Sequence, residues 1–219
     1  MKFSKALLMD SGRMGAHYYD LQVALYCAVW YRNEDSRHYT KASFGMCDYD
    51  PIITAIINYN RAFKKLLDIK EPLVAMPIVR IQMENLVYLF AESLYPNKIL
   101  YKVYDNAKEF NQIAINGEKL KTADFILKLE EKYSGIRSIW KRYCCYVHPS
   151  SMQDKLGYVN GNHKEVIDTA IKDMQLVNQA ITDTLQAMID RLTVDIKARG
   201  EYKSYLEYVD LESGRIPIQ

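Results

Sequence analysis

Apolar residues recur at steps of three and four along most of the chain, the period of helices that bury one face. Tyr18, Leu21, Leu25 and Val29 set the first such stripe and predict a helix over about residues 17–32. A polar stretch then ends in Asp50-Pro51, a favourable N-cap followed by proline at the first helical position. Ile52, Ile56, Tyr59, Phe63 and Leu66 continue from there as the core side of a helix over about 51–69. Glu71-Pro72 closes it and opens the next helix, about 72–94, with Val79, Met83, Leu86 and Phe90 on its apolar side. Pro77 falls inside this element and is expected either to begin the regular helix or to kink it, because proline removes a backbone donor.

Tyr95-Pro96-Asn97 stops that helix, and a fourth is expected over about 97–115, ended by Asn116-Gly117. Phe125, Leu129 and Tyr133 share one side of a helical stretch over 122–134. Gly135 separates it from 136–146, leaving one bent helix and two separate ones as equal alternatives. Pro149, Gly157 and Gly161 mark a connecting loop. The last helix, about 163–199, is the longest and would span about 54 Å at 1.5 Å per residue. Its seam, Ile167, Ile171, Met174, Asn178, Ile181, Leu185, Met188 and Leu192, is heptad-like with one polar member. That seam can carry shorter helices of the same chain, or pair with a second copy with Asn178 fixing the register. Tyr202, Tyr205, Leu206 and Tyr208 suit a short docked helix in the tail. The pattern predicts a single all-α domain over 1–219.

Composition adds exclusions. Of 219 residues, 49% are hydrophobic, enough for one substantial core. Twenty-nine Lys and Arg against 27 Asp and Glu leave a formal charge of +2, so any nucleic-acid contact must be local and not a matter of bulk charge. Cys27, Cys47, Cys144 and Cys145 lack the paired spacing of a structural zinc site and read as reduced thiols of a cytoplasmic protein. No stretch reads as the roughly 20 apolar residues of a membrane span, so no membrane association is expected. No His-Glu-x-x-His, Walker A loop or dinucleotide fingerprint occurs, and neither metal nor cofactor is expected.

The candidate chemistry lies at Arg142-Tyr-Cys-Cys-Tyr-Val-His148, at the end of a helical run and closed by Pro149. Arg142 and His148 stand six positions apart, about 120° round a regular helix, so their tips converge only if the last turn distorts. Pro149 favours that, because the residue before a proline is pushed out of the helical region. A histidine titrating near neutrality can take the proton of a ribose 2′-hydroxyl or give one to the leaving 5′-oxygen. An arginine can hold the scissile phosphate and stabilise charge on its oxygens. The same histidine can equally be a helix C-terminal cap. A second pair, Arg80 and Glu84, sits at i, i+4 in apolar surroundings, where it forms either a simple intrahelical bridge or a support that orients Arg142 or His148.

Arg80-Ile-Gln-Met-Glu84 together with Arg142-Tyr-Cys-Cys-Tyr-Val-His148-Pro149 resembles the HEPN superfamily of small all-α proteins, whose ribonucleases carry an arginine, four to six residues, then histidine. The resemblance covers about residues 50–195. It implies an up-and-down helical bundle with a long C-terminal helix, frequent homodimers, and roles in toxin–antitoxin or phage-defence systems. It further implies a metal-independent endoribonuclease with RNA as substrate and an antitoxin or other protein as partner. Arg142 and His148 would act on the phosphodiester, with Arg80 and Glu84 positioning them. Tyr143 stands where active members commonly carry Asn, Asp or His. The alternative is a non-catalytic helical module that binds a protein or nucleotide through the groove around the 149–162 loop.

Overall fold

The computed structural model describes residues 50–96, 99–104, 108–147 and 163–198. The helix expected over 17–32, the 149–162 loop, His148 and the tail lie outside these residues. Within them the protein is an all-α helical bundle: α1 (Asp50–Asp68), α2 (Pro72–Leu94), the short α3 (Leu100–Tyr104), α4 (Thr122–Lys132), α5 (Ile136–Val147) and α6 (His163–Ala198).

Each long helix begins or ends where local chemistry dictates. α1 terminates in a Schellman motif: the Glu71 N–H donates to Leu66 O at 2.8 Å and the Lys70 N–H to Leu67 O at 3.1 Å. Lys70 therefore takes the left-handed conformation, φ 61°, that this cap requires. α2 starts with Pro72 in its first turn and runs through Pro77 without interruption. The hydrogen bond that Pro77 deletes would have gone to Leu73 O, and Leu73 is exposed, where water can satisfy its carbonyl. Gly135, at φ 102°, settles the join between α4 and α5 as a break between two helices.

α2 is the hub of the bundle. It packs against α6 most extensively, and also against α1, α5, α4 and α3. The long C-terminal helix, expected to carry shorter helices on its seam, does pack against α2 and α5, but the centre of the bundle is α2. The reason is distribution: α2 buries residues all round its circumference, from Ala75 and Met76 through Leu86 and Val87 to Leu89 and Ala91, whereas α6 buries one seam. By length and mean composition α2 is also apolar enough to cross a membrane, although Arg80, Gln82, Glu84, Asn85 and Glu92 interrupt its apolar residues. In this fold 61% of its most apolar window is buried against other helices, and Arg80, Gln82, Asn85 and Glu92 are among its buried residues.

Buried polar groups fix how the helices register. Gln82 Nε2 donates to Ile56 O at 2.9 Å and its Oε1 accepts from Asn85 Nδ2 at 3.0 Å, tying α2 to α1. Asn178, fully buried, donates through Nδ2 to Asn60 Oδ1 at 3.1 Å, tying α6 to α1, while its own Oδ1 is buried without a hydrogen-bond partner. Glu92 Oε2 accepts the Ile99 and Leu100 N–H groups at 2.9 and 3.0 Å and so starts α3.

The region between α3 and α4 differs from expectation. In place of a helix over 97–115 there are the five residues of α3, a 3-10 turn at Phe110–Gln112, and a two-stranded antiparallel hairpin. β1 (Ala114–Ile115) and β2 (Glu118–Lys119) pair Ala114 with Lys119 and Ile115 with Glu118. Asn116 and Gly117, at φ 52° and 88°, form the tight turn. Positive φ at both central residues is the type I′ geometry that Asn-Gly favours, so the dipeptide turns a hairpin and does not end a helix. Phe110 pins the segment to the core, stacking on Tyr88 at 5.3 Å and edge-on to Phe125 at 5.3 Å.

Glu130 couples α4 to the start of α5. Its Oε1 accepts the Gly135 N–H at 3.0 Å and its Oε2 the Arg137 N–H at 2.7 Å. Those backbone donors, Gly135 first and Arg137 second, hold the carboxyl below its ordinary range. A depressed carboxylate contributes stability that is complete above the unfolded value and is lost as pH falls through the folded one. Thermal melts from about pH 7 to about pH 3 are therefore expected to show wild type above Glu130→Gln at neutral pH, with the gap closing only on the acid side of the usual carboxylate range. A gap that stays constant to the acid end would contradict this capping role.

Candidate functional site

α5 carries the site because its sides face different partners. Ile136, Ile139 and Tyr143 point into the core. Trp140 is half-buried toward α2, and Arg142, two positions on, turns toward α6. Two residues correspond to about 200° of helix, which sets these two side chains on opposite flanks.

On the α6 flank Arg142 Nη1 is ion-paired and hydrogen-bonded to Asp173 Oδ2. The Tyr143 hydroxyl donates to the same oxygen at 2.9 Å. Exposure is graded across this cluster: Tyr143 is 1% exposed, the Asp173 side chain 13%, and the Arg142 side chain 39%. Burial, then the Asp173 charge and hydrogen bond, push the Tyr143 hydroxyl far above its ordinary value, so it stays a protonated donor. For Arg142 partial burial acts to lower the value, but the Asp173 charge and hydrogen bond outweigh it and the net shift is upward. Tyr146, one turn on from Arg142, lies with its ring 5.6 Å from that of Tyr143. Val147, the last helical residue, is 40% exposed, and His148 follows it in the chain.

On the α2 flank the Arg80 guanidinium lies flat on Trp140, its Cζ 3.4 Å from the ring centroid. Arg80 Nη1 is 2.8 Å from Glu84 Oε1, an ion pair whose angle does not make a hydrogen bond. Arg80 Nε and Nη1 are buried with no hydrogen-bond partner, so the cation is stabilised by the ring face and by Glu84. The Glu84 side chain is 46% exposed and Arg80 only 10%. Tyr88 lies near both, its hydroxyl raised first by burial and then by the Glu84 charge.

The four residues singled out from the sequence are thus distributed. Arg80 and Glu84 reach α5 through Trp140, and Arg142 stands on the other flank against α6. Neither Arg80 nor Glu84 makes an ion pair or hydrogen bond to Arg142. His148 lies outside the described residues. Sequence reading missed Asp173 and Trp140. Asp173 directly precedes Met174 of the α6 seam, and an acid flanking an apolar seam beside a cationic helix is the signal that could have found it. Among the described residues no group of three or more His, Cys, Asp or Glu is placed to hold a metal ion.

Compared with known proteins, the chain matches no family model, no curated protein and no solved structure.

Proposed function

We propose that the protein is a metal-independent endoribonuclease of the toxin or phage-defence type, built as an up-and-down HEPN-like bundle. The observation that carries this reading is Arg142: a guanidinium partly open to solvent, fixed by Asp173 at the α5–α6 seam, in the last turns of the helix that leads into His148. In this reading a 2′-oxygen attacks the adjacent phosphorus and the bond to the 5′-oxygen breaks, leaving a 2′,3′-cyclic phosphate and a free 5′-hydroxyl. His148 takes the 2′ proton or supplies one to the 5′-oxygen, and Arg142 neutralises the charge that grows on the non-bridging oxygens. Pairing of two copies would supply a second histidine for the other proton. Arg80 and Glu84 act at a distance, by fixing α5 through Trp140. An antitoxin or other protein would cover the site between uses.

Tyr143 favours a second reading. Its hydroxyl is spent on Asp173 and its ring is sealed in the core, so the position that is polar in active family members supports packing here. A non-catalytic module that binds a protein or nucleotide follows from that. Incubating a pool of structured and single-stranded RNA in EDTA with wild type and with His148→Ala separates the two. Cleavage by wild type alone is the expected result; no cleavage by either folded protein moves the weight to the binding module.

A further inference from the structure

We propose that the outward face of α5 is a track for the RNA backbone, with Arg137 and Lys141 holding phosphates beside the reacting one, an extension that rests on the ribonuclease reading for its substrate. α5 carries three cations and no acid in its 12 residues, although the whole chain has an excess of only two positive charges. Its other sides are taken: Ile136, Ile139 and Tyr143 enter the core, Trp140 faces α2, and Arg142 is engaged against α6. What remains is an exposed strip of Arg137, Ser138 and Lys141. Among the described residues neither Arg137 nor Lys141 makes a side-chain hydrogen bond or an ion pair. The two stand about 40° apart round the helix and about 6 Å apart along it, a short row parallel to the axis. That row points toward Val147, about 9 Å beyond Lys141, where α5 ends and the chain passes into His148. Two cations a single turn apart suit successive phosphates of an extended strand, which a basic track follows without reading its bases.

The face lacks what other partners need. A stable protein interface is built on an apolar centre, and a helix that lies on a lipid surface buries an apolar side. Arg137, Ser138 and Lys141 offer neither. Cations open to water gain instead by releasing the counterions of a nucleic-acid backbone. The low net charge of the chain fits this, because the contact is then confined to one strip. Glu130 tempers one end of the row: its carboxylate accepts the Arg137 N–H at 2.7 Å and interacts with the Arg137 charge. Lys141 is therefore the stronger of the two contacts.

The test measures binding of a short fluorescent 2′-O-methyl RNA strand to the full chain by anisotropy over about 50–200 mM KCl. That strand has no 2′-hydroxyl to attack and stays whole. Lys141→Gln is expected to weaken binding about fivefold at about 0.1 M salt and to lower the slope of log K against log salt by about 0.7, the value for one phosphate contact on a single strand. Arg137→Gln follows with a smaller loss, and the double variant exceeds either. Lys65→Gln, the same charge change in the exposed last turn of α1, is expected to bind as wild type does. All three positions are exposed, so matching thermal melts are expected for every variant. Wild-type affinity and slope in the double variant overturn the track, and so does an equal loss in Lys65→Gln, which marks bulk charge alone. Tighter binding of polyglutamate than of the strand assigns the face to an acidic protein and overturns it too. Cleavage of unmodified RNA in EDTA is scored separately, with KM raised and kcat kept in the double variant. Salt-dependent binding through the row by a wild type that does not cleave brings down the ribonuclease reading and not the track, whereas cleavage by the double variant at wild-type KM brings down the track alone.

Discussion

Arg142→Ala is expected to slow metal-free RNA cleavage by about 10²–10³-fold while leaving the fold intact. The loss is large because the guanidinium is the charged donor that would meet the oxygens of the reacting phosphate, and removing one such donor from a preorganised site costs on that scale. The fold is expected to survive at a cost of about 1–3 kcal/mol, because the Arg142 side chain is 39% exposed but Asp173, at 13%, loses one of its partners. Asp173 also keeps the Tyr143 hydroxyl as a donor in the variant. Arg142→Lys is expected to recover little, because an ammonium retains the charge but not the planar fork. Steady-state cleavage rates beside thermal melts check both halves. A variant that cleaves at the wild-type rate would remove Arg142 from the chemistry.

The largest effect on stability is expected at Trp140, with a change of sign at its partner. Trp140→Ala removes a large half-buried ring and also uncovers Arg80, whose Nε and Nη1 have no hydrogen bond to fall back on. Truncating a large aromatic costs about 3–5 kcal/mol, a substantial share of the 5–15 kcal/mol that typically holds a domain folded. Arg80→Met acts in the other direction. It exchanges a buried cation with two unsatisfied nitrogens for an apolar chain of similar reach, and relief of those buried groups, about 1–3 kcal/mol, is expected to match or exceed the lost attraction to Glu84 and the ring. Glu84 is then left alone, but at 46% side-chain exposure water solvates it. Urea denaturation of the two variants tests the pair; an Arg80→Met protein less stable than Trp140→Ala would show that Arg80 does more than lie on the ring.

The helices were legible because burial here follows a simple period. Of the stripe residues, Ile52, Ile56 and Phe63 on α1 and Ile171, Met174, Asn178, Ile181, Leu185 and Met188 on α6 are buried, while Tyr59, Leu66 and Ile167 pack against the core only partly buried. Glu71-Pro72 marked a real boundary, since proline chemistry acts within one turn, whereas the start of the helix at Asp50-Pro51 lies at the edge of the described residues. The hairpin was lost because Asn-Gly serves two geometries: its left-handed preference ends helices and also makes a type I′ turn, and two-residue strands are too short to show alternation. The central place of α2 was hidden for a related reason. The stripe Val79, Met83, Leu86 and Phe90 named one side of α2, but a helix apolar all round buries its other sides too, as Ala75, Met76, Val87 and Leu89 show, and a single stripe does not reveal that.

The candidate site was legible only along the chain. Arg142 and His148 are close in sequence, and their spacing could be read directly. Asp173 comes 31 residues after Arg142 on another helix, and no local pattern encodes the packing angle that brings the two together. Trp140 reads as one more core aromatic until Arg80 is seen lying on it. Such long-range juxtapositions also decide how the Arg80–Glu84 pair is used. From spacing alone it is either an intrahelical bridge or a support for Arg142 or His148; in the fold it is a cation held between a carboxylate and an indole on the helix that carries Arg142.

The central claim is cleavage by the substrate's own 2′-oxygen, driven by Arg142 and His148 without metal. The most direct measurement incubates the protein in EDTA with an RNA oligonucleotide and with the same oligonucleotide carrying 2′-deoxy substitutions at its cleavage sites, followed by analysis of the product ends. Products with 2′,3′-cyclic phosphate from the RNA, and none at the deoxy positions, are the predicted result. Equal cleavage of both oligonucleotides, or of neither, would contradict it.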